Sequence, residues 1–111
     1  MASLFYSYIC SMNLTATEIQ SIRQYFAKQP VLRAYIFGSY ARGDADEKSD
    51  VDLLLQLDYS KKIGLKYVRM QLDLEKLLHK RVEFSSEDFL KPRIKKHIEK
   101  EKQLVYEKSV S

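Results

Sequence analysis

The chain has 111 residues, 45% of them hydrophobic and 31% charged, which is the size and balance of one globular domain rather than a disordered or fibrous chain. Its formal net charge of +4, from 19 Lys+Arg against 15 Asp+Glu, suits an anionic ligand but is too small to argue for nucleic acid. The single cysteine, Cys10, excludes a disulfide framework and a cysteine-built zinc site and fits a reducing cytoplasm, and no stretch approaches the roughly 18 apolar residues that span a membrane.

The opening Met1–Cys10 is apolar and aromatic, yet it lacks the basic start and small-residue cleavage site of a signal peptide. Residues 1–11 therefore read as an N-terminal extension without a role, and residues 12–111 as a single domain. Thr15-Ala16-Thr17-Glu18 is a capping box, and Ile19, Ile22 and Phe26 behind it mark one apolar stripe of a helix that Pro30 ends. Val31 to Phe37 is rich in branched and aromatic residues and predicts a strand that stops at Gly38-Ser39. Residues 40–50 are small, polar and charged and predict a short helical turn or a loop.

Val51 to Leu57 predicts a second strand, apolar enough for burial on both faces. Ser60 then reads as the cap of a long helix from about Lys61 to His79. Tyr67, Met70, Leu74, Leu77 and Leu78 form its broad apolar face, with Val68, Leu72 and Glu75 on a second stripe. Arg81 to Phe84 predicts a third strand. Ser85 or Ser86 is expected to cap a helical segment interrupted at Pro92, with Ile94, Ile98 and Leu104 as its apolar side. The order predicts a small α/β (α+β) domain, one mixed sheet with helices packed on it.

Two features converge on residues 38–52. Gly38-Ser39 after a strand, turning into Tyr40-Ala41-Arg42-Gly43, exposes backbone N–H groups that suit phosphate oxygens, to which Ser39 adds a hydroxyl and Arg42 a planar fork of donors. Asp50-Val51-Asp52 opens an otherwise apolar strand, and residues two apart on a strand share a face. Paired carboxylates repel unless a cation lies between them, and Mg²⁺ favours one or two carboxylates together with substrate phosphates. Each feature alone is commonplace; ten residues between Ser39 and Asp50 put a phosphate cradle and a carboxylate pair on neighbouring strand ends.

With its Gly-Ser, ten intervening residues and Asp-x-Asp, the run Gly38 to Leu53 resembles the signature of the minimal nucleotidyltransferases of the DNA polymerase β-like superfamily. The resemblance spans residues 13 to about 107. It implies that Gly38, Ser39 and Arg42 bind the nucleotide, and that Asp50 and Asp52 hold two Mg²⁺ ions. It further implies that a third carboxylate, Glu83 in Arg81-Val82-Glu83-Phe84, completes the metal site and serves as general base. Relatives commonly carry Asp at that place, so Glu83 is a departure by one methylene. ATP is the implied substrate.

The resemblance also implies a partner. In HEPN/MNT toxin–antitoxin pairs the nucleotidyltransferase adenylylates a tyrosine of its HEPN ribonuclease and silences it. A chain without an acceptor-holding domain is expected to take its acceptor hydroxyl from such a partner, as a hetero-oligomer in the cytoplasm, with no direct nucleic acid and no membrane. Two other readings remain open: a module that neutralises the partner by contact alone, and a subunit acting on a small molecule such as an aminoglycoside. His79 and His97 lack a second ligand at metal spacing and read as surface residues, and Arg93 with His97 has too short a spacing for a HEPN ribonuclease pair. Lys91 to Lys102, with six Lys/Arg against two Glu, reads as a solvated helix face. Tyr40 is expected near the nucleotide base.

Overall fold

Thr15 starts the first helix as its neighbours demand. Its hydroxyl accepts from the Glu18 N–H at 3.1 Å, and the Glu18 carboxylate accepts from the Thr15 N–H at 3.0 Å. The computed structural model describes residues 14–87 and 90–108; the extension at residues 1–11, Cys10 included, lies outside them. In chain order the elements are α1 (Ala16–Phe26), β1 (Val31–Phe37), α2 (Ser39–Arg42), β2 (Val51–Leu57), α3 (Lys66–Leu78), β3 (Val82–Ser86), α4 (Pro92–Glu101) and β4 (Gln103–Glu107). Among the described residues no helix is long and apolar enough to cross a membrane.

The strands form one mixed sheet in the order β3-β2-β1-β4. β1 runs antiparallel to both β2 and β4, while β2 and β3 are parallel and joined through α3. Parallel neighbours need such a crossover, and a helix supplies it. As its composition predicts, β2 is buried along most of its length, with Leu53, Leu54 and Leu55 at 1% exposure or less. α1 packs against β4 and α3, and α3 against β3.

Ile19, Ile22 and Phe26 of α1 and Met70, Leu74 and Leu78 of α3 are buried in the core over the sheet. Phe26 is its aromatic hub, with ring centroids 6.3 Å from Phe84 and 5.9 Å from Tyr106. Because Phe26 is fully buried, Phe26→Ala should lower stability by about 3–5 kcal/mol. Urea unfolding at an unchanged m-value is the measurement.

Five local expectations give way. The α3 helix starts at Lys66 rather than Lys61, because Ser60 donates both its N–H (3.1 Å) and its hydroxyl (2.5 Å) to Asp58, and Gly64 adopts φ +45°. That tight turn consumes the residue expected to cap the helix. Leu77, expected on the apolar face of α3, is 48% exposed. Ser85 and Ser86 lie in β3, paired with Leu54 and Leu55, and the residues that follow fall in part outside the described ones. Pro92 does not interrupt α4; it opens it, at the first position where a missing N–H is harmless. Leu104 belongs to β4, a strand the local pattern did not reveal, and both Leu104 and Ile94 are exposed.

Candidate active site

Antiparallel pairing brings the end of β1 beside the start of β2: Phe37 lies opposite Asp52, and Asp52 in turn lies opposite Glu83 on β3. One row of the sheet thus carries the Gly38 turn, Asp52 and Glu83. Asp50 lies just ahead of β2, half-buried, beside a cavity of about 540 Å³ that His79, Lys80 and Arg81 also line. Asp52 and Glu83 are thus neighbours across the parallel strands, and the charges of Glu83 and Asp50 both act on Asp52.

Gly38 is dictated by this packing. Its φ of +74° disfavours any side chain, and a β-carbon there would run into Asp52 Oδ2 and lie 3.4 Å from Asp52 Cγ. Glycine lets the turn and the carboxylate close on one another. After it, α2 makes a single turn, with the N–H groups of Ala41 and Arg42 both bonded to the Gly38 carbonyl at 3.1 Å and Gly43 closing the turn in the left-handed region. Ser39 is half-buried at the start of that turn. Tyr40, expected beside a nucleotide base, is instead a core residue at 5% exposure, because the one-turn helix directs it into the sheet side.

Arg42 is half-exposed and bonded to Asp44 at 3.3 Å and Glu101 at 3.0 Å. Glu101 had no place in the sequence reading of the site. It closes α4, and its second oxygen accepts the Gly38 N–H at 3.0 Å. An acid among the lysines of α4 is the one hint in the sequence; its arrival at Gly38 depends on how β4 pairs with β1. His79 and His97 are exposed, as expected. His79 ends α3 with φ +54°.

Electrostatics concentrate on Asp52. Burial, then the charges of Glu83, Asp50 and Glu101 push its carboxyl up from the ordinary 3.8 to about 6. In metal-free protein the folded chain holds that proton up to about pH 6, whereas the unfolded chain releases it near 3.8. Between those values the folded state binds more protons, so the contribution of Asp52 to stability rises as pH falls from about 7 to about 4. Asp52→Asn should therefore be more stable than wild type at pH 8 in EDTA, and the gap should narrow toward pH 4. Thermal melts across that range read it; a gap independent of pH would refute the assignment.

The donor set fits a hard divalent cation: carboxylate oxygens only, mutually repelling, with half-buried Asp52 raised in pKa. Among the described residues no group of three or more His, Cys, Asp and Glu side chains converges as a ready metal cage. An open pair such as Asp52 and Glu83, with Asp50 alongside, suits Mg²⁺, which keeps places for water and substrate phosphates.

Comparison with known proteins follows the same residues. Residues 19–105 match the nucleotidyltransferase domain family. The protein adenylyltransferase MntA of Thermococcus cleftensis is 37% identical over 93 residues, covering 79% of this chain and 93% of the relative. A solved minimal nucleotidyltransferase shares 34% identity and superposes with a TM-score of 0.69, over 78% of this chain and 88% of that one. A chain from the Shewanella oneidensis complex of tri-AMPylated HEPN toxin with MNT antitoxin has a TM-score of 0.61 at 12% identity, over 82% of this chain and 71% of that one. At that identity the likeness concerns the fold alone.

Proposed function

The chain belongs to the nucleotidyltransferase domain family, and from that premise we propose that it transfers AMP from ATP to a hydroxyl, a tyrosine, of a HEPN-type ribonuclease toxin and thereby acts as its antitoxin. The observation that carries this reading is the closure of the Gly38 turn on Asp52, with Glu83 opposite it on β3. A turn for phosphates and a carboxylate group for cations thus share one sheet end. The MntA name of the Thermococcus cleftensis relative, and the toxin bound in the Shewanella oneidensis complex, support the class of acceptor. We assign residues 12–111 to a single minimal domain that works in the cytoplasm, where ATP is abundant.

In this reading Ser39 and Arg42 bind and orient the triphosphate, Arg42 setting positive charge against it. Asp50, Asp52 and Glu83 would hold Mg²⁺; when bound, it supplies positive charge against the phosphate oxygens. The acceptor oxygen attacks the α-phosphorus in line. A new P–O bond forms, the bond from the α-phosphorus to its bridging oxygen breaks, and pyrophosphate leaves. Glu83 takes the hydroxyl proton. Its side chain is exposed, as a base must be when the acceptor arrives on another protein.

A second reading, in which the chain neutralises its partner by contact alone, rests on the resemblance: it implies aspartate at the third carboxylate, where this chain has Glu83. The two readings part in one experiment. The chain is incubated with ATP, Mg²⁺ and the product of the neighbouring gene, and both proteins are weighed intact while the ribonuclease activity of that product is followed. Adenylylated partner with lost ribonuclease activity is the expected result; full inhibition with no change of mass would establish contact alone.

A further inference from the structure

We propose that Glu101 is a positioning residue for the triphosphate-binding turn, its single carboxylate tying the entry of α2 at the Gly38 N–H to the exit of α2 at the Arg42 guanidinium. This rests on the nucleotide reading above and deepens it. A helix of four residues has no stability of its own, since one turn does not recover the cost of nucleation. It has to be held from outside.

The hold comes from the junction of α4 with β4, the strand next to β1. Glu101 Oε1 accepts the Gly38 N–H at 3.0 Å, and Oε2 accepts Arg42 Nη1 at 3.0 Å. Two residues on, Gln103 Nε2 donates to the Ala41 carbonyl at 3.1 Å. Three of the five residues from 38 to 42 are thus fastened to the junction of α4 and β4.

The position of Glu101 is otherwise unfavourable. An acid in the last turn of a helix opposes the negative end of the helix dipole. Its side chain is only 16% exposed, against 47% for Arg42. Removing a carboxylate from water at that end of a helix is offset by two charge-assisted hydrogen bonds, both to the turn. Held between Glu101 and Asp44, the Arg42 fork is ordered before any ligand arrives, which spares the binding step that ordering.

The test uses the full chain with Mg²⁺ and the ATP analogue AMP-PNP in the absence of any acceptor protein, with affinity read by calorimetry and folding by thermal melting. Glu101→Ala removes both ties and should weaken binding about tenfold or more, the scale of one charge-assisted hydrogen bond. Glu101→Gln keeps an acceptor for the Gly38 N–H and loses the charge opposite Arg42, so it should recover part of that loss. In an Arg42→Ala background, Glu101→Gln should have no further effect, because the residue it acts through is gone. A purely structural role would lower the melting temperature but leave the two substitutions additive, which would overturn the inference. Tighter binding by Glu101→Ala would also overturn it, by showing that the carboxylate competes with phosphate for the same donors. Equal affinity in wild type and both Glu101 variants would overturn the inference while sparing the nucleotide reading. Absence of AMP-PNP binding to wild type would overturn both.

Discussion

Asp52→Ala should abolish nucleotidyl transfer, lowering the rate by at least about 10²–10³-fold, the usual loss when a transition-state stabiliser is removed, on a chain that remains folded. Asp52 is the point where the site converges. Gly38 closes on it, Glu83 pairs with it across the parallel strands, and Asp50 and Glu101 add their fields. Three acidic neighbours around a partly buried carboxylate are destabilising unless a cation answers them. Removing the carboxylate relieves that repulsion, so metal-free Asp52→Ala should melt no lower than wild type, while the stabilisation by ATP with Mg²⁺ disappears. Asp50→Ala should show the same pair of effects. Near-normal adenylylation by either variant, measured by intact mass on folded protein, would show that the carboxylates do not form the working site.

Glu83→Gln should bind ATP and fail to transfer, with a loss of about 10²–10⁴-fold, because an amide cannot take up the proton of the acceptor. Two observations shape this expectation. Glu83 is exposed at the sheet end, open to an incoming hydroxyl, and its charge is the second largest cause of the raised Asp52 pKa. Glu83→Gln should therefore also bring the Asp52 titration down toward the ordinary carboxyl range, which a carbon-13 carboxyl titration of the metal-free protein can follow. Glu83→Asp shortens the side chain by one methylene and should keep transfer or raise it. If both substitutions leave partner inhibition untouched and no adenylylated partner is found, the chain acts by contact. If Glu83→Gln makes adenylylated partner at the wild-type rate, another group accepts the proton.

What the sequence by itself determined is what depends on near neighbours. The capping box at Thr15 and Glu18, the stripe of Ile19, Ile22 and Phe26, and the bounds of β1 and β2 follow from side-chain period and from proline and glycine. So does the Gly-Ser and Asp-x-Asp spacing, because two antiparallel strands joined by a short connection must bring their facing ends together. Ser60 and Pro92 depart from expectation for a local reason as well: an Asp two residues before Ser60 holds it in a turn, and the proline opens α4 rather than breaking it. Tertiary structure alone decided β4. Gln103 to Glu107 follows α4 with only Lys102 between them and no Gly or Pro to mark the change, and it becomes a strand because the free edge of β1 offers it a partner. That pairing carries Glu101 to the Gly38 turn, across 63 residues of sequence. Periodicity holds no information about contacts at that separation; the closure of the sheet creates them.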